Sequence, residues 1–156
     1  MQDVAIALGS NLGDRAAHLT LALSALRALL AGLIASPFIE TEPVGVGPQP
    51  RFLNAAAVGR YGGTAASLLD ALLSVERHAG RQRPHAGAAR TLDLDLILFG
   101  DAVIDAPGLV VPHPRFRERA FVLGPLTAIA PGMRDPVSGM TVAELAHALK
   151  EQRPCA

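Results

Sequence analysis

Asp93 and Asp95 stand one residue apart in the run Arg90-Thr-Leu-Asp93-Leu-Asp95-Leu-Ile-Leu-Phe99. On a strand, alternate side chains share a face, so both carboxylates project one way while Leu92, Leu94 and Leu96 project the other. At a rise of about 3.3 Å per residue they leave the backbone about 7 Å apart and can converge on a common ion. Like charges this close destabilise each other unless a cation lies between them. Magnesium suits the pair, because it takes one or two carboxylates and completes its octahedron with water and phosphate oxygens. Taken alone, Asp-x-Asp equally fits the outer face of a half-exposed strand. Its neighbours favour chemistry: Arg81, Arg83, His85 and Arg90 precede it, and Pro112-His113-Pro114-Arg115-Phe-Arg117-Glu-Arg119 follows. A metal that bridges phosphates, with guanidinium forks to hold oxygens and neutralise developing charge, is what phosphoryl-type transfer requires.

The elements that must carry these residues follow from punctuation and periodicity. Val4 to Leu8 reads as a buried strand ending in the turn Gly9-Ser10-Asn11-Leu12-Gly13. A helix follows, with Asn11 as its cap, Leu19, Leu23, Leu26 and Leu30 on one face, and Gly32 as its stop. Leu33 to Glu42 reads as a strand, and Pro43 to Pro50 is irregular. Phe52 to Tyr61 is a further strand, and Thr64 caps a second helix that stops at Gly80. Arg90 to Phe99 is a strong strand. Beyond it come a turn-rich connection to Pro114 with an apolar run at Leu109 to Val111, and a helical stretch from Arg117 to Ala130 interrupted at Pro125. A last helix opens on the capping box Thr141-Val-Ala-Glu144. Strand, helix, strand, strand, helix, strand is the order of an α+β, ferredoxin-like (split βαβ) sandwich, here with appended C-terminal helices.

Composition narrows the function classes. The chain has 156 residues, which fits one domain, 1–156. Fourteen basic residues balance fourteen acidic ones, so no global field gathers nucleic acid or anionic lipid, and any anion is bound by a local cluster. Only Lys150 among the basic residues is a lysine. A palm-like nucleotidyltransferase also presents strand aspartates to metal but needs a basic track for its polymer, which this balance disfavours. A non-catalytic regulatory module of the same topology has no use for paired aspartates among arginines. The single cysteine, Cys155, excludes an internal disulfide. The apolar stretch Leu19 to Ile39 is broken by Arg27, Gly32 and Ser36-Pro37, and Met1-Gln2-Asp3 lacks a basic leader start. A cytoplasmic monomer with no membrane partner is expected.

Several motifs occur together and in order: Gly9-Ser10-Asn11-Leu12-Gly13, Phe52-Leu53-Asn54-Ala55, Glu76 followed by Gly80-Arg81-Gln-Arg83, Arg90 through Gly100, Val111-Pro-His113, and Arg119-Ala-Phe121. Over nearly the whole chain this resembles the 6-hydroxymethyl-7,8-dihydropterin pyrophosphokinases of folate biosynthesis. The resemblance implies transfer of pyrophosphate from ATP to the hydroxymethyl group of the pterin, giving AMP and the pterin diphosphate. By that resemblance Asp93 and Asp95 hold two Mg2+ ions, and Arg81 and Arg90 are catalytic. Glu76, Arg83, His113 and Arg119 lie on the ATP side. Phe52 and Phe121 stack on the pterin, Asn54 reads its edge, and Thr41, Pro43 and Val44 line it. Gly9-Ser10-Asn11 serves the ligand floor or only turns the chain into the first helix. The loop Pro84-His85-Ala-Gly-Ala-Ala89 departs from the family, since the chain holds no tryptophan, and Pro114 stands where an aromatic commonly follows the histidine. Loops Pro43 to Arg51 and Gly80 to Ala89 are expected to cover the site, closing weakly or by aliphatic packing.

Overall fold

The computed structural model describes residues 1–42, 51–80 and 91–152. Strand β1 (Gln2–Ser10) is followed by helix α1 (Arg15–Leu29), strands β2 (Ala31–Ala35), β3 (Ile39–Thr41) and β4 (Phe52–Tyr61), and helix α2 (Ala65–His78). Strand β5 (Asp93–Phe99) precedes a hairpin of β6 (Ile104–Ala106) and β7 (Leu109–Val111). A 3-10 turn (Phe116–Glu118) and helices α3 (Ala120–Ile129) and α4 (Val142–Gln152) complete the described chain.

The main sheet runs β2–β4–β1–β5, with β3 pairing β4, and every neighbouring pair is antiparallel. Alternation along its central strands builds two cores. Val4, Ile6 and Leu8 of β1, Ala55 and Ala57 of β4, and Leu94 and Leu96 of β5 face α1 and α2, where Leu19, Leu23, Leu26, Leu68 and Leu72 meet them. Each fully buried leucine contributes roughly 1.5–3 kcal/mol, so this layer anchors both helices. On the other face Ala5, Ala7 and Ala56 are small enough to seat α3 and α4 through Val122, Leu123, Leu126, Val142 and Leu145.

A bulge marks the far part of β5. Ile6 pairs with Leu96 but Ala5 pairs with Leu98, so Ile97 is an extra residue. Ile97 and Leu98 both join the α3 and α4 core, and Phe99 returns to the opposite one.

The sequence expectations need four corrections. Asp14, not Asn11, caps α1, its carboxylate accepting the Ala17 N–H at 3.1 Å. Asn11 is fully buried, and Gly13 at φ +71° turns the chain between them. Gly32 does not stop α1, which ends at Leu29, and it lies in β2 at φ +63°. The expected strand from Leu33 to Glu42 is two strands, because Ser36-Pro37 interrupts the ladder. Pro125 does not interrupt α3; the break falls at Arg119, between the 3-10 turn and the helix. Thr64 caps α2 as expected and adds a capping box with Ser67, and the expected capping box of Thr141 with Glu144 forms.

Candidate active site

Register sets the site. Asn54 of β4 pairs with Gly9 of β1, and Gly9 pairs on its other side with Asp93 of β5. Directly opposed residues on neighbouring strands share a face, so an amide, a glycine and a carboxylate form one row across three strands. Two residues along, Ala56, Ala7 and Asp95 form the next row on the same face. Asp93 and Asp95 are half-buried while Leu92, Leu94 and Leu96 are buried in the opposite layer, as strand alternation requires.

The glycine is needed where it stands. A Cβ on Gly9 would lie 3.0 Å from Asn54 Oδ1 and 3.6 Å from the Phe52 ring. Asn54 is buried, and its side-chain amide donates to the Thr41 hydroxyl across the β3–β4 pairing. Thr41 itself pairs with Phe52. Thr41, Phe52, Asn54 and Gly9 thus gather at one end of the sheet, beside the aspartates. Phe121 lies in the first turn of α3, the helix that packs on β4, half-buried against the α3 core. The Arg119 guanidinium lies 5.6 Å from the centre of its ring.

The bulge anchors the backbone of His113, whose ring lies within electrostatic reach of Asp93. The Ile97 carbonyl accepts the His113 N–H at 2.9 Å. His113 Nδ1 accepts the Arg115 N–H at 3.1 Å, which leaves the proton of a neutral ring on Nε2. Burial pushes the imidazole below its ordinary value of 6.5, and the charges of Arg119 and Arg115 push the same way against the opposing pull of Asp93. The histidine therefore senses one aspartate and two arginines together.

The three arginines after His113 have different fates. Arg119 lies over the Phe121 ring and within electrostatic reach of His113. Arg115 is exposed and pairs with Glu118 at 3.7 Å. Arg117 turns away to a bidentate pair with buried Asp135, Nε to Oδ2 at 2.5 Å and Nη2 to Oδ1 at 2.9 Å. Sequence reasoning missed this clamp, although the turn sequence Asp135-Pro-Val-Ser-Gly is a readable signal for an Asx cap. Glu76 is also placed unexpectedly: it is 1% exposed, and its Oε2 accepts the Leu94 N–H at 2.7 Å. Pro43, Val44, Arg81, Arg83 and Arg90, together with most of both expected covering loops, lie outside the described residues.

Among the described residues no cluster of three or more His, Cys, Asp or Glu side chains forms a protein cage for a metal. Two carboxylates on one face, an all-oxygen donor set, suit an ion that takes its other ligands from water and phosphate, so the residues fit Mg2+.

Residues 5–131 match the model of the 7,8-dihydro-6-hydroxymethylpterin-pyrophosphokinase (HPPK) family. The chain belongs to this family. It is 43% identical over 138 residues to a 2-amino-4-hydroxy-6-hydroxymethyldihydropteridine pyrophosphokinase of Pseudomonas aeruginosa, covering 87% of this chain and 85% of that one. It is 41% identical over 126 residues to the protein of the same name from Bacillus subtilis, covering 80% and 75%. Its fold is similar to the crystal structure of Plasmodium falciparum HPPK-DHPS wild type with SDX-DHP, at a TM-score of 0.73 and 15% identity. That likeness covers 97% of this chain and 45% of the longer one. The HPPK match contains every site position above. Asp135 lies beyond its end, so the Arg117 clamp ties the matched segment to the C-terminal part of the chain.

Proposed function

We propose that the protein transfers pyrophosphate from ATP to 6-hydroxymethyl-7,8-dihydropterin, giving AMP and the pterin diphosphate in folate biosynthesis. The family match over residues 5–131 carries this reading. The row of Asn54, Gly9 and Asp93 supplies its stereochemical sense, because it sets an amide recognition group beside a carboxylate pair.

The pterin is assigned to the end of the sheet formed by Thr41, Phe52 and Asn54, and the family resemblance assigns Pro43 and Val44 to the same substrate. A flat guanidine-edged ring needs an amide to read its edge and rings above and below, roles that suit Asn54, Phe52 and Phe121. Asp93 and Asp95 would hold two Mg2+ ions, which neutralise phosphate charge when bound. Arg119 and His113 flank the aspartates, with Arg81, Arg83 and Arg90 assigned to the triphosphate. A neutral His113 donates from Nε2 to a phosphate oxygen, and Arg119 supplies fixed positive charge where charge develops. Glu76 belongs to the nucleotide half but is buried beneath it. Positioning of the hydroxymethyl oxygen in line with the β-phosphorus supplies much of the rate.

The strand order, with β2 and β3 taken as one interrupted strand, supports a ferredoxin-like (split βαβ) sandwich forming one domain over residues 1–156. A cytoplasmic monomer acting on small molecules, without nucleic acid, is the form proposed. No helix among the described residues is long and apolar enough to cross a membrane.

The test is chromatographic analysis of nucleotide products from ATP and Mg2+, with and without the pterin. Pterin-dependent AMP is expected. ADP would mean γ-phosphoryl transfer and would overturn the reading, as would AMP formed at the same rate without the pterin.

A further inference from the structure

We propose that Glu76 is a positioning residue that sets the spacing of Asp93 and Asp95 through the backbone of β5. This rests on the metal role proposed for the two aspartates. β5 ends the described path of the main sheet, and its neighbour β1 pairs with Asp93 through Gly9 and with Asp95 through Ala7. Leu94, between them, gives its N–H to Glu76 Oε2 at 2.7 Å, a short hydrogen bond. Its side chain is buried in the layer that holds α2. The start of β5 is therefore gripped from β1 at the aspartates and from α2 at the residue between them. The other buried residues of α2 are Ala65, Leu68 and Leu72, so Glu76 is the polar member of that buried helix face.

A rotation of the Asp93–Leu94 peptide would swing the Asp93 and Asp95 side chains relative to each other. The bond from Leu94 resists that rotation. Loss of outer-shell support of this kind typically weakens metal binding about 10–100-fold. What the role requires of residue 76 is an acceptor oxygen, not a negative charge at the reactants.

The experiment compares Glu76→Leu and Glu76→Gln in the full chain. Calorimetry follows binding of α,β-methylene-ATP with and without Mg2+, amide exchange follows Leu94, and thermal melting follows the fold. In Glu76→Leu, Mg2+-dependent binding is expected to weaken about 10–100-fold, and the Leu94 amide to exchange about tenfold faster or more. Glu76→Gln presents an amide oxygen to the same N–H and is expected to recover binding to within about threefold of the parent. If Glu76→Gln loses as much as Glu76→Leu, the charge meets nucleotide or metal directly and the proposal falls. Unchanged binding in Glu76→Leu overturns it too. Should Glu76→Leu not fold, the Gln variant decides by the same threshold. A parent protein that binds the analogue equally without Mg2+ removes the metal reading as well, whereas equal loss in the two variants removes this one alone.

Discussion

Replacing Asp135 by Asn tests whether the Arg117 clamp holds the turn that delivers His113 and Arg119. The carboxylate is fully buried and accepts from Arg117 Nε and Nη2, from the Val137 and Ser138 N–H groups at 3.1 and 3.3 Å, and from the Ser138 hydroxyl at 2.7 Å. Burial alone pushes this carboxyl up; the hydrogen bonds of Arg117, Ser138 and Val137 and the Arg117 charge outweigh it and hold it at about 2, against an ordinary 3.8. At 1.36 kcal/mol per pH unit the gap is worth about 2.5 kcal/mol. Because the folded value is the lower one, that stability is fully present above pH 3.8 and is lost as the pH falls toward 2. Asn keeps the shape but removes the charge and turns an N–H donor toward other donors. Breaking a buried pair costs about 3–5 kcal/mol; with Arg117 still partly open to water, the lower end applies. For a chain of this length about 3 kcal/mol lowers Tm by roughly 6–12 °C. Urea unfolding at pH 7 should show that loss in Asp135→Asn, and at pH 2.5 about half of the difference from the parent should vanish. A loss below about 1 kcal/mol at pH 7, or one of equal size at both pH values, would refute the assignment.

Three further outcomes are expected. Asp95→Asn should lower turnover at least about 10²–10³-fold while shifting Tm by under about 3 °C; full activity in that variant would overturn the metal assignment. Gly9→Ala should raise the KM for the pterin about 10–100-fold, since displacing a positioning group by about 1 Å has that scale of effect. The new Cβ would stand 3.0 Å from Asn54 Oδ1, so an unchanged KM would place the pterin elsewhere. The folded value for His113 lies below 6.5, so the unfolded chain takes up its proton first as pH falls. The stability contribution is therefore unfavourable below about pH 6.5 and absent above it, and NMR titration of the ring at or above that value would contradict the burial argument.

Strong local signals carried the reading of the sequence furthest. The strand expected over Arg90 to Phe99, which the structure begins at Asp93, the Thr64 cap, the Thr141 capping box, and the face shared by Asp93 and Asp95 all follow from spacing of two or from cap chemistry within four residues. What escaped depends on partners distant in sequence. Nothing near Ile97 announces a bulge; it is defined by the register of β1, some ninety residues earlier, yet it provides the carbonyl that holds His113. Arg117 is indistinguishable from Arg115 and Arg119 until Asp135 folds beneath it. Asn11 lost the α1 cap to Asp14 because the turn through Gly13 adds three residues before helical geometry begins. Glu76, placed by resemblance on the nucleotide side, shows its contact with Leu94 only once α2 lies along β5.

The two faces of the sheet explain why the site sits where it does. Toward α1 and α2, large residues repeat along β1 and β5 beside Ala55 and Ala57 of β4, and that layer is filled from Val4 to Leu8 and from Leu92 to Leu96. On the other face the same strands carry alanine at positions 5, 7 and 56, which α3 and α4 need for close approach. Moving along that face, the pairs change from Ala5 against Leu98, to Ala7 against Asp95, to Gly9 against Asp93. The face passes from apolar packing to charge within two pairs, and its central residue shrinks to nothing at the charged end. At that end Gly9 leaves the backbone bare, and Asn54 and Phe52 would meet any side chain that was added. The bulge at Ile97 falls on the packed side of this transition, so it bends β5 and anchors His113 without disturbing the spacing of the two aspartates.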